Sequence, residues 1–180
     1  MRQIKFSFSP TRSGRRHYLN EEDVRVLLSR LPERLWERLR AVHFNDRARG
    51  RRTAGYVNWG HREIAICALP RSVSLSPFIK RVPHATPAGF GATRGHQWPE
   101  LAVRRFMLYD VVLHELGHLQ VVEPTAKSLR RKFAGETKAQ EFADFWRRKL
   151  WAEKFDHPDP VHNRPSAAER EPATAAVCLG

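Results

Sequence analysis

Two histidines four residues apart, with a glutamate directly after the first, form the run His114-Glu115-Leu116-Gly117-His118. On a helix of 3.6 residues per turn, positions i and i+4 share a face, so both imidazoles can reach one metal ion. Zn²⁺ suits imidazole, and a catalytic zinc site has three protein ligands and one position left open for water. Glu115 then stands beside the metal, placed to take a proton from the bound water and pass it on. With 9 histidines and 13 glutamates in 180 residues, a random sequence of this composition contains H-E-x-x-H about 3% of the time. The motif alone is therefore only suggestive, and a third ligand is needed to make a site of it. Its setting helps, because two histidines and a glutamate are costly to bury in so apolar a helix.

The third ligand is expected from the next helix, with Glu136 and Glu141 as candidates and Glu123 too close along the chain to fold back. Glu136, Ala139, Phe142 and Ala143 recur at helical spacing. That puts Glu136 at the inward edge with small alanines that allow close approach. At about 100° per residue, Glu141 lies roughly 140° from Glu136. Glu136 is the preferred ligand on that geometry.

The surrounding elements must hold these groups. Asn20-Glu21-Glu22-Asp23 starts a helix, the asparagine capping it and the acids complementing its dipole. Val24, Leu27, Leu28 and Leu31 follow at helical spacing, and Pro32 breaks or restarts the helix. Leu35, Trp36, Leu39 and Val42 continue an apolar face. Residues 45–52 read as a turn, and 55–59 and 63–67 as a hairpin linked through Gly60-His61-Arg62. Residues 77–99, rich in Pro and Gly, read as a flap or substrate-facing insertion. Residues 100–121 are a helix apolar on more than one face. A second helix covers roughly 125–154, with a possible interruption at Gly135. The domain division is 1–19 as a basic arm or edge strand, 20–155 as the functional domain, and 156–180 as a flexible tail.

The run H-E-L-G-H, followed 18 residues later by Glu136-Thr137-Lys138-Ala139-Gln140-Glu141-Phe142-Ala143, resembles the gluzincin pattern. The approach Arg105-Phe106-Met107-Leu108-Tyr109-Asp110 is also similar to that of ImmA/IrrE-type and other minimal bacterial zincin domains. The resemblance covers residues 100–150, and before them only the order of elements. It implies an α+β, zincin-like fold, a small mixed sheet packed on an active-site helix and a following ligand-bearing helix. It implies that His114, His118 and Glu136 bind Zn²⁺ and that Glu115 is the general base of a zinc metalloendopeptidase acting on protein or peptide substrates. Gln140 departs from it, standing where such families often place Asn or Asp behind the ligands. The strand at Ile64-Ala65-Ile66 could run beside the cleft and accept a peptide by main-chain hydrogen bonds, or be buried core. Tyr56, Tyr109, His61, His84 and His96 could stabilise an oxyanion, and the sequence does not choose among them.

The formal charge is +13, from 32 basic and 19 acidic residues. Such a surplus favours an anionic partner. The alternative function is thus a DNA-associated or regulatory zincin-like protein, close in logic to SprT-like proteases. Its contacts would be arginine clusters at 12–16, 47–52, 130–132 and 147–149. A third reading is a non-enzymatic module whose metal is closed by a fourth protein ligand. Cys67 and Cys178 are too few and too far apart for a disulfide scaffold, and Cys67 reads as a buried thiol. No apolar stretch approaches 18 residues and no signal core follows Met1. The expectation is a cytoplasmic monomer without a membrane segment.

Overall fold

The computed structural model describes residues 3–46, 54–72, 87–92, 98–120 and 129–170, with the backbone alone for 129–134. Strands β1 (Lys5–Phe8), β3 (Ala41–Asn45), β5 (Glu63–Cys67) and β4 (Gly55–Asn58) form a mixed sheet in that spatial order. β1 and β3 are parallel, as are β3 and β5, whereas β4 returns antiparallel to β5. β2 (Arg15–Arg16) and β6 (Leu69–Pro70) make a separate two-stranded ribbon.

Helix α1 (Glu21–Ser29) links β1 to β3. Asn20 caps it as expected: Asp23 N–H donates to Asn20 Oδ1, and Asn20 N–H donates to Asp23 Oδ2, both at 2.9 Å. Such a cap stabilises a helix by about 1 kcal/mol. The helix does not resume as an apolar face after Pro32. A 3₁₀ turn at Glu33–Leu35 intervenes, and Val42 belongs to β3. Alternation marks the strand. Val42 and Phe44 are buried in the core while His43 is only part-buried, a strand period that five residues suffice to express. The 55–67 hairpin forms through Trp59–Arg62, with Arg62 at φ 56° closing the turn.

One face of the sheet packs on a helical layer. α2 (Glu100–Phe106), a π-helical segment (Met107–Val112) and α3 (Leu113–Gln120) run without a break, followed by α4 (Leu129–Ala152). Nothing in the apolar spacing signals the π segment, and α4 runs through Gly135 without interruption. Every residue from Met107 to Leu113 is buried, among Phe44, Ile64 and Ile66 of the sheet. The opposite sheet face is polar at β1 and the hairpin. Ser7 contacts His43 at 2.6 Å, His43 contacts Glu63 at 3.3 Å, and Asn58 donates to Glu63 at 3.4 Å. The architecture is mixed α+β.

A flexible tail does not begin at Asp156. Residues 156–170 are bound to the helices by two arginines, ending in the short α5 (Ala167–Arg170). Arg104 bridges Asp23 (2.8 Å) and Asp159 (2.7 Å), and the buried Arg105 donates to Glu169 (2.7 Å) and to the carbonyl of Pro160 (3.0 Å). The proline content that reads as a loose tail instead shapes a strap whose Val161 and His162 are buried. Burial, with His157 beside it, pushes the pKa of His162 down to about 4. A histidine held neutral in the fold takes up a proton on unfolding. Stability should therefore fall as pH drops from about 6.5 toward 4, by up to about 1.4 kcal/mol per pH unit from this group. Urea unfolding of wild type and His162→Gln between pH 7.5 and 4.5 measures it. Equal slopes in the two proteins would remove His162 as the cause.

Among the described residues, no helix is long and apolar enough to cross a membrane. Cys67 is buried and free, and burial raises its thiol to about 11, which makes it inert.

Candidate metal centre

The site is built where α3 and α4 touch. A side chain on Gly117 would place its Cβ 2.8 Å from the carbonyl oxygen of Ala139, 2.9 Å from its Cα and 3.1 Å from Cβ of Phe142. Glycine on one helix against a fully buried alanine on the other lets the two backbones approach this closely. Glu136, three residues before Ala139, thereby reaches the histidine face of α3.

His114 Nε2 lies 3.3 Å from Glu136 Oε2, and His118 Nε2 lies 3.5 Å from Glu136 Oε1. The three donor atoms all fall within 4.8 Å of one another. Donors sharing one small ion at bonds of about 2.0–2.2 Å and tetrahedral angles stand about 3.4 Å apart, and separations of 3.3 and 3.5 Å, to the two oxygens of one carboxylate, are of that order. The His114, His118 and Glu136 group could thus hold a metal ion. Both imidazoles are part-buried and Glu136 is exposed, which leaves the group reachable from solvent. Among the described residues no fourth protein donor joins it, as closure into a structural site would require.

Electrostatics concentrate on these residues. The two imidazoles hydrogen-bond Glu136 and hold its carboxyl well below the usual range. Burial opposes charge on His114, but Glu136, Glu115 and Asp110 outweigh it and raise its pKa. Glu115 is not part of the donor group. It is only 6% exposed, and burial pushes its carboxyl up to about 7 against the pull of His114 and His118. A carboxyl so placed is suited to moving a proton near neutral pH.

Behind His114 lies a support that the sequence did not reveal. His114 Nδ1 meets Gln140 Oε1 at 3.0 Å, and Gln140 Nε2 donates to Asp110 and Asp144, each at 3.3 Å. Arg147 donates to Asp110 at 2.6 Å and to Asp144 at 2.5 Å. Burial raises the Asp110 carboxyl, while Arg147 and the Gln140 amide oppose that shift. Gln140 thus occupies the supporting role despite departing from the expected Asn or Asp. Helical spacing held the signal: Asp110 is four residues before His114, and Asp144 four after Gln140.

Glu141 is exposed on α4 and outside the donor group. Tyr109 is fully buried and bonds the carbonyl of His162 at 3.0 Å, a packing role rather than an oxyanion donor. Tyr56 points to the sheet face away from Gly55 and accepts from Asn45 at 3.0 Å. His61 is exposed in the hairpin turn. His84, His96 and most of the 77–99 insertion lie outside the described residues. β5 is interior to the sheet, so it cannot receive a peptide. Among the described residues the edge strand beside the site is β4. A Cβ on Gly55 would lie 2.9 Å from Glu115 Oε1, and the Trp59 ring meets His118 edge-on at 5.9 Å.

Two of the four basic clusters are committed within the chain. Arg12 and Arg15 clamp Asp46 (2.9 and 2.5 Å), and Arg16 pairs with Glu100 at 2.8 Å. Arg147 is buried, and Lys149 lies over the Trp146 ring. The cluster at 47–52 and the side chains of 130–132 lie outside the described residues. Comparisons with protein-family models, with curated proteins and with solved structures find no match to this chain.

Proposed function

We propose that this chain is a zinc-dependent metallopeptidase with a zincin-like arrangement, hydrolysing peptide bonds at the His114–His118–Glu136 group. The observation that carries this reading is the pair of donor separations, 3.3 and 3.5 Å, beside a buried glutamate that is not itself a donor. Zinc held there would lower the pKa of a bound water and polarise the scissile carbonyl. His114, His118 and Glu136 supply three ligands and leave one position for water or substrate. Glu115 accepts the proton of the attacking water and delivers it to the leaving amine. β4, at the sheet edge, offers main-chain groups to an extended peptide. Gly55 leaves that strand flush against Glu115, and Trp59 walls the cleft beside His118.

Purified protein is expected to carry about one zinc per chain. It should cleave an unstructured protein such as casein, lose that activity to a chelator, and regain it with added zinc. Protein that binds no zinc at micromolar concentration would end this reading.

A further inference from the structure

The hydrogen bonds behind His114 form a chain in which each donor dictates the next. Arg147, 6% exposed, donates to Asp110 Oδ1 at 2.6 Å and to Asp144 Oδ1 at 2.5 Å. Facing a buried guanidinium, both carboxylates act as acceptors only. The part of Gln140 that meets them must therefore be its NH₂ group, which lies 3.3 Å from each. That orients the amide, and its oxygen is left against His114 Nδ1 at 3.0 Å. An amide oxygen cannot donate, so Nδ1 must carry the hydrogen. Nε2, 3.3 Å from Glu136, is then the nitrogen left to face the metal position: without metal it donates to the Glu136 carboxylate, and a bound ion would take its lone pair in place of that hydrogen.

We propose that Arg147, acting through Asp110, Asp144 and Gln140, is a positioning residue that fixes His114 in its Nδ1–H tautomer and aims Nε2 at the metal position. The proposal rests on the reading of His114, His118 and Glu136 as a metal site. It assigns to Arg147 a role other than contact with an anionic partner. The relay places the charged groups one amide away from the ligand. A carboxylate at position 140 would instead bring a third negative charge to Asp110 and Asp144, against one guanidinium. Glutamine passes on the orientation without adding that charge.

Two measurements test it. In metal-free wild type, ¹⁵N NMR of the histidine rings should show His114 protonated at Nδ1. In Gln140→Leu, which keeps the Arg147–Asp110–Asp144 pairing intact, the Nδ1 hydrogen loses its acceptor, and rings with a hydrogen on Nε2 alone should appear. Zinc affinity, read by competition with a chromophoric chelator, should weaken about 10–100-fold in Gln140→Leu and in Arg147→Met. Arg147→Lys, which keeps a cationic donor, should stay closer to wild type than Arg147→Met. If Arg147→Met does not fold, Gln140→Leu still decides the matter. The relay is overturned if wild-type His114 lacks a hydrogen on Nδ1, or if Gln140→Leu keeps that hydrogen in full and binds zinc within twofold of wild type. The tautomer is read without metal. A wild type that binds no zinc yet shows Nδ1–H would refute the metal reading and leave the relay standing.

Discussion

Glu115→Gln should lower kcat/KM on a peptide substrate by about 10²–10⁴-fold, the usual worth of a general acid–base group, while zinc content stays at the wild-type level. The two outcomes separate because Glu115 lies outside the His114–His118–Glu136 donor group. Glutamine matches its shape and fills the same space against Gly55, whose Cβ position is 2.9 Å from Glu115 Oε1. It cannot accept a proton. The substitution should also spare stability. Burial already disfavours the Glu115 carboxylate enough to bring its pKa to about 7, and a neutral amide avoids that cost. Metal analysis, a thermal melt and a peptide assay on the same preparation test all three expectations. Activity within tenfold of wild type, with zinc bound, would remove Glu115 from the chemistry.

Gly117→Ala should destabilise the protein by about 1–3 kcal/mol, as overpacking does, and weaken zinc binding as well. The sign is diagnostic. At an ordinary helix interior position, alanine is more favourable than glycine by about 0.5–1 kcal/mol. Here its methyl group would sit 2.8 Å from a backbone oxygen of Ala139 and 2.9 Å from Cα. Neither can swing aside as a flexible side chain could. α4 must move away from α3, carrying Glu136 from the two histidines. Urea unfolding with and without zinc reads both effects, and the loss should be larger for the zinc-loaded protein. A more stable variant would show that the helices tolerate separation and that Gly117 does not set their spacing.

The grouping of His114, His118 and Glu136 was readable in the sequence because it obeys short-range periodicity. His114 and His118 share a face by spacing alone, and the alanines beside Glu136 marked the inward side of α4. The support behind His114 was harder to see, since it joins residues 26, 30 and 37 positions apart. Arg147 lay inside a basic run, and charge runs are ordinarily solvated surface. Only packing shows that two buried aspartates face it. In the sheet, β3 was hidden by a continuing apolar rhythm in which Leu35, Leu39 and Val42 also fit helical spacing. The proline-rich stretch after Asp156 misled for a related reason. Its anchors, Arg104 and Arg105, are more than 50 residues away.

The π segment at Met107–Val112 gives one continuous helix two independent orientations. Upstream of it, Arg104 and Arg105 face the strap that ends in Glu169. Downstream, His114 and His118 face Glu136. One residue corresponds to about 100° of rotation, and a π turn accommodates a residue that an α turn would not. The segment works like the offset between two keyways cut on one shaft. Shortening it by a single residue would leave every side chain present, but the two halves could no longer both be in phase with their partners. The length of the chain between Arg105 and His114 is therefore as much a part of the site as the residues that would hold the metal.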